Sequence, residues 1–418
     1  MKQKVSSTNM NYKTFHSNVP KNKMRRDILY LFTAFIYISC TTTVQDDSTY
    51  DGQLTYLQAQ YKHFNAQAPR FFLFGMGNRE KYVYKDYKLI NINNDSIVFT
   101  AKNVLNDSII PSDYCVQIET SEGQIEIKED EEGIWINKGG ELQFLSGQNC
   151  HISLPSFNQF KYGKVLRVLH HELLFNIRDS RIYPNILCYE EPFYRDAFMA
   201  ILCLEKTGNT VLLLPWLSCI KDIYDMQNHE PEADNLGELL YMLSFIPKDS
   251  NQILKQNLKK EIELRTIYND KHQYINGHTD GSNNAEYQTQ ILKFALQKNG
   301  YHDHFTSVPQ EEVGDYYDLC WFTLGRSHSR SLGRWCKDLR FNYEDSPFPY
   351  LQWARSHYYS NSNAAFNNQR YPLSWEKRGG SAHFEGMGII STQAVKERIC
   401  YPHTWTAAEI FLKLYHEQ

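Results

Sequence analysis

The sequence predicts a small antiparallel β domain followed by an all-α domain of helical hairpins closing into a barrel. Between Arg70 and Pro155, short runs of β-type residues alternate with turn signals. After Lys164 the hydrophobic period becomes helical and stays so to the end. The connections in this second part alternate between long and short, as hairpins with their long loops gathered at one mouth require.

The 418 residues are 42% hydrophobic and 22% charged, which excludes disorder, collagen-like sequence and coiled coil as descriptions of the whole chain. The 14% aromatic content suits a protein that stacks on rings, and equally an aromatic-rich core. Seven Lys/Arg against the single acid Asp27 lie within residues 1–39, so the rest of this chain of net charge −4 is strongly acidic. Phosphate recognition needs a basic face, and a nucleic-acid partner is therefore not expected.

Met24-Arg25-Arg26-Asp27 precedes the mostly apolar run Ile28 to Ser39, which ends at Cys40. Twelve residues rise only about 18 Å as a helix, against a hydrocarbon core of about 30 Å, so the run reads as a signal peptide and not a membrane span. Ser39-Cys40 resembles a bacterial lipobox with Cys40 acylated, although Tyr37 stands where Leu is usual. Residues 1–23 read as an extension upstream of a complete signal, residues 1–40 as the signal region and 41–69 as a tether. The expected address is the bacterial cell envelope, through a lipid anchor at the membrane, with an ordinary secretory signal and a secreted protein as the alternative. Among the other cysteines no CxxC pair occurs, so neither a zinc site nor a dense disulfide framework is predicted.

The β domain, residues 70–158, contains the runs Phe71–Leu73, Lys81–Ile92, Ser96–Ala101, Tyr114–Glu119, Gln124–Ile127, Gly133–Ile136 and Glu141–Phe144, separated by Asn-Asn-Asp, Glu-Gly and Lys-Gly-Gly breaks. The helical domain, residues 160–418, carries stripes at Val165/Val168/Leu169, Leu236/Leu239/Leu240/Leu243, Tyr287/Ile291/Phe294/Ala295 and Ala408/Phe411/Leu412/Tyr415. Gly208, Pro247 and Gly300 supply stops, and about eleven helices with no intervening strands are expected. A toroid, a solenoid or a bundle would fit; no fixed repeat appears, which disfavours the solenoid.

Five polar stretches could carry chemistry. Pro192 opens a helix and puts Arg195 and Asp196 in its first turn, where dipole stabilisation alone also accounts for an acid. Asp234, in Glu232-Ala-Asp-Asn235, reads as a cap or a binding residue. His278-Thr279-Asp280-Gly281 begins a run dense in hydrogen-bonding side chains, though Asp-Gly is also an ordinary turn. Ser374 to Gly386 collects Trp375, Glu376, Lys377, Arg378, His383 and Glu385, and Pro402-His403-Thr404-Trp405 precedes the last helix. Two opposed carboxyl groups are what glycoside hydrolysis needs. His170-His171-Glu172 matches neither HExxH nor HxxEH, and no GxSxG, P-loop or Rossmann glycine set occurs.

Tyr194-Arg195-Asp196-Ala197, Glu232 to Leu240, Thr279-Asp280-Gly281, Ser374-Trp375-Glu376 and His403 to Glu409 resemble segments of the six-hairpin glycosidase superfamily, over about residues 160–418, and look most like bacterial lipoprotein enzymes of polysaccharide utilisation. The resemblance implies an (α/α)6 toroid and hydrolysis of a glycosidic bond by acids at its mouth. Some members act on uronic acids, for which Arg195, Lys377 or Arg378 would pair with the substrate carboxylate.

The expectation is therefore a glycoside hydrolase with a carbohydrate substrate and no cofactor or metal. Asp196 is the first acid, Glu385 or Glu376 its partner and Asp280 in reserve; Arg195, Asp234, His278, Trp375, Arg378, His383, His403 and Trp405 bind substrate. The alternatives are a polysaccharide lyase using Tyr358 or Tyr359 with His357 or His383, and a surface glycan-binding lipoprotein that turns nothing over.

Overall fold

A computed structural model describes residues 71–187, 189–269, 271–279, 282–283, 285–306, 308–309, 371, 373–376 and 401–416, all within the compact unit Val44–Gln418. Two antiparallel meanders come first. Strands β1 (Phe71–Phe74), β2 (Tyr82–Lys85), β3 (Lys88–Asn91) and β4 (Ile97–Thr100) form one sheet in sequence order. Strands β5 (Val104–Ile110), β6 (Cys115–Thr120), β7 (Gly123–Glu129), β8 (Ile134–Lys138) and β9 (Glu141–Ser146) form the other.

The turns follow from residues that accept positive φ. Gly139 and Gly140, at φ 62° and 91°, join β8 to β9, so that Lys138 pairs with Glu141. Asp86 and Tyr87 do the same between β2 and β3. Strand β5 is not among the runs expected from sequence: Asn106-Asp107-Ser108 interrupts its apolar character, and pairing with β6 overrides the weak local preference. A buried staple joins the two sheets. Glu129 on β7 accepts the N–H groups of Gly75 (2.8 Å) and Met76 (2.6 Å) and the Arg79 guanidinium (3.1 Å). Lys81 donates to the carbonyls of Gly75 and Gly77, and burial lowers its pKa to about 7 against the opposing pull of Glu129.

Seven α-helices follow among the described residues: α1 (Gly163–Phe175), α2 (Tyr194–Thr207), α3 (Leu214–Cys219), α4 (Asn235–Met242), α5 (Gln252–Arg265), α6 (Ala285–Lys298) and α7 (Thr404–His416). This corrects the predicted toroid. The described helices do not make the six hairpins of a full (α/α)6 ring, and the second part is not free of strands. Four two-stranded ribbons interrupt it: β10/β11 (Ile177–Arg178, Arg181–Ile182), β12/β13 (Thr266–Tyr268, Gln273–Ile275), β14/β15 (His278–Thr279, Ser282–Asn283) and β16/β17 (Trp375–Glu376, Tyr401–Pro402). The polar segments read as helix connections instead pair their backbone groups with one another, which satisfies N–H and C=O without a helix.

Helix α1 is buried almost all round and is shared by both layers. His171 donates through Nε2 to the Leu73 carbonyl of β1 (3.0 Å) and stacks on Phe72 (4.9 Å, 19°). Tyr114 donates to the Arg167 carbonyl (3.2 Å). Helix α7 packs against α1 and α2, and α4 against α6. Gly237 permits the second contact, because a Cβ there would lie 2.6 Å from the Leu292 amide nitrogen. One hydrophobic core therefore runs from Phe72 in the first sheet through Leu169 to Phe411. Helix α2 ends at Gly208, left-handed at φ 78°. Cys115, Cys150 and Cys203 are buried thiols, whereas Cys219, at the end of the six-residue α3, is exposed.

Candidate functional site

The N-terminal ends of α2, α4 and α7 meet at one end of the helical layer, and hydrogen bonds tie them together. Pro192 precedes α2, whose first turn carries Arg195 and Asp196. Asp234 caps α4 by accepting the Asn235 N–H through Oδ1 (3.1 Å). The Arg195 guanidinium joins the two helices: Nε donates to Asp234 Oδ2 (2.8 Å) and Nη2 to Glu232 Oε2 (3.0 Å). Asn228 also donates to Glu232 (3.0 Å). Removing such a pair from water is costly unless its remaining polar sites are filled, and here further hydrogen bonds fill several of them.

Around this pair lies a second ring of acids. Asp225 accepts the Tyr194 N–H (2.6 Å), and Asn235 Oδ1 accepts the Asp225 N–H (3.1 Å), so the loop before α4 is bound to the start of α2. Asn235 and Tyr287 donate to the two oxygens of Glu238 at 3.1 and 3.2 Å. Burial raises the Glu238 pKa well above the carboxylate range, and the nearby Asp234 charge raises it further while Arg195 opposes. Burial likewise raises Asp225, against the hydrogen bond from Tyr194.

On the α7 side the Trp405 N–H donates to Asp196 Oδ1 (3.2 Å), so this carboxyl group lies at the N-terminal ends of two helices. Ser374 Oγ accepts the His403 N–H (3.1 Å), and the His403 ring stands edge-on to Tyr189 (6.4 Å). Thr404 donates to the Tyr183 carbonyl (2.5 Å). The ribbon β16/β17 leads into α7 with Trp375 opposite Pro402 and Glu376 opposite Tyr401.

Of the residues proposed from sequence, Arg195, Asp196, Asp234, His403 and Trp405 thus come together. His278 joins by its backbone, its carbonyl accepting the Ala233 N–H (2.9 Å), while its side chain is exposed. Trp375 and Glu376 are described as backbone only. Asp280, Arg378, His383, Glu385 and Cys40 lie outside the described residues, as do Lys377, His357, Tyr358 and Tyr359.

Exposure separates the members of the cluster. Asp234 and Glu238 have none and Glu232 1%, whereas Asp196, Arg195 and Trp405 retain 6% and His403 4%. All seven are buried, the latter four least completely. Glu238, Asp225 and Tyr287 were not singled out from sequence. A charged residue inside the Leu236/Leu239/Leu240 stripe is the one local sign of Glu238, and nothing in the spacing marks Asp225. Among the described residues, no group of three or more His, Cys, Asp or Glu side chains could hold a metal ion, and no helix is long and apolar enough to cross a membrane.

Comparison of the chain with protein-family models, with curated proteins and with solved structures gives no match.

Proposed function

We propose that the protein is a glycoside hydrolase acting on a polysaccharide or oligosaccharide, with the bond cleaved at the joined N-terminal ends of α2, α4 and α7. Support comes from one convergence: segments scattered from Tyr194 to Glu409, each resembling a piece of the six-hairpin glycosidases, are linked by Arg195–Asp234, Asp196–Trp405, Ala233–His278 and Ser374–His403 hydrogen bonds. In this reading Asp196 is one of the two carboxyl groups and Glu376 or Glu385 the other. One protonates the leaving oxygen while the other attacks the sugar or activates water. Arg195, held by Glu232 and Asp234, fixes the floor of the site, and Trp405 and His403 border the sugar. The chain is exported and tethered to the cell envelope through Cys40.

One observation favours a second reading, a glycan-binding protein without turnover. The cluster's acids Glu232, Asp234 and Glu238 are covered and bound by Arg195, Asn228, Asn235 and Tyr287, which suits a rigid platform more than proton exchange.

Incubating the full chain with neutral and uronate-containing polysaccharides, while following reducing ends and ultraviolet absorbance, separates these readings. Hydrolysis gives reducing ends without absorbance, and Asp196→Asn lowers the rate by at least about 100-fold. An absorbing, unsaturated product would establish a lyase instead. Binding without either signal would establish the second reading, and full turnover by a folded Asp196→Asn variant would remove Asp196 from the chemistry.

A further inference from the structure

We propose that the outer face of the five-stranded sheet is a second, separate carbohydrate site, which takes a neutral polysaccharide chain. Side chains alternate between the faces of a strand. The registers Ser108↔Gln117, Gln117↔Glu126 and Glu126↔Asn137 therefore lay one polar row across four strands. Asn106↔Glu119 and Glu119↔Gln124 lay a second row beside it. The two rows line a groove of about 530 Å3, with Gly139 and Gly140 at its rim. The side chains of Asn106, Ser108, Gln117, Glu119, Gln124 and Glu126 make no hydrogen bond to any other described residue. An amide offers both donor and acceptor and a carboxylate two acceptor oxygens, the set that vicinal hydroxyl groups of a sugar match.

An aromatic platform continues the same face. Two residues along β8 from Asn137, Trp135 pairs with Phe144 across β8 and β9, their rings edge to face at 4.8 Å and 62°. The Trp135 N–H donates to Asp130 (3.1 Å), which fixes the indole, and Phe144 is 43% exposed. A second hollow, of about 520 Å3, lies over this pair, flanked by Gln148, Asn149 and His151. Positions two apart on a strand are separated by about 6.7 Å, so platform and polar rows fall under neighbouring stretches of one extended glycan. Its C–H faces stack on the rings and its hydroxyls reach the amides.

Charge selects the class. Glu119 and Glu126 present their carboxylates along the polar rows and no Lys or Arg lines that groove, whereas Lys128 stands opposite Trp135 at the platform, so the rows disfavour uronates, sulfated sugars and nucleic acid. The occupant is a neutral chain, and the site stands whether or not the helical end catalyses.

Affinity electrophoresis of the full chain, in gels containing xyloglucan, galactomannan, starch, mixed-linkage glucan or polygalacturonate, tests this. At least one neutral polysaccharide is expected to retard the protein. Gln117→Ala with Glu126→Ala, and separately Trp135→Ala, weaken retardation at least about tenfold, while Trp135→Phe retains it. A far-ultraviolet circular dichroism spectrum matching wild type accompanies each variant; Gln117 is exposed and Glu126 partly so, and the double variant keeps the test valid should Trp135→Ala unfold. Retardation by polygalacturonate alone, by none of the five, or undiminished in the folded double variant would overturn the site. Turnover without retardation overturns this site alone, and retardation without turnover overturns the hydrolase alone.

Discussion

Replacing Glu172 by glutamine should remove a pH-dependent part of the protein's stability. Glu172 is wholly buried in α1 and accepts the N–H groups of Leu373 (2.5 Å) and Ser374 (3.0 Å) and the Ser374 hydroxyl. Burial pushes its pKa up from 4.5 to about 7, and these donors pull it part of the way back. Between those two values the folded protein keeps a proton that the unfolded chain has released. The stabilisation is thus complete below the unfolded pKa and is lost as pH rises through the folded one. Each pH unit in that window costs about 1.4 kcal/mol, and the whole window about 3 kcal/mol. Glutamine does not titrate, and its single carbonyl leaves at least one buried donor unmatched, at about 1–3 kcal/mol at every pH. Urea unfolding followed by tryptophan fluorescence from about pH 5 to 8 measures both curves, and their difference isolates Glu172 from other titrating groups. The variant should be less stable near pH 5, with the gap closing as pH rises. A gap that stays constant over this range would refute a raised Glu172 pKa.

Three further outcomes are expected. Burial lowers His170 and His171 to about 3, so the stability each contributes is present above 6.5 and lost as pH falls through 3; His171→Phe should make acid unfolding shallower by circular dichroism. Gly237→Ala puts a methyl group 2.6 Å from Ile291 Cγ2 and the Leu292 nitrogen, and should cost about 1–3 kcal/mol or more in urea unfolding. Arg195→Met leaves Glu232 and Asp234 without their shared cation and should cost about 3–5 kcal/mol, most of it regained when Glu232→Gln and Asp234→Asn are added.

What the sequence makes legible depends on the range of the signal. The Leu236/Leu239/Leu240 stripe, the stop at Gly208 and the Lys-Gly-Gly break are local, and each corresponds to a helix, a left-handed cap or a hairpin turn. The two-residue ribbons are illegible because a period of two needs more than two residues to show. As helix connections, their polar sequences would imply a complete toroid. Arg195 stands out as a helix-start cation, but its partners lie 37 and 39 residues away, and no spacing rule selects them. His170-His171-Glu172 is informative only as a failed metal motif in sequence. Its actual role is set by Leu73 and Ser374, which tertiary packing alone brings to α1.

That role has a consequence for how the chain is made. Glu172 is bonded to residues 201 and 202 positions further on, and α1 is covered on another side by α7, near the C-terminus. A loop of that length closes late and slowly. The central helix therefore cannot acquire its full cover while the C-terminal segment is still being synthesised, and the nascent chain must be kept from aggregating until Thr404–His416 has emerged. Ribosome stalling or early termination before Ser374 would release a polypeptide with an uncovered apolar helix, a ready target for quality-control proteases.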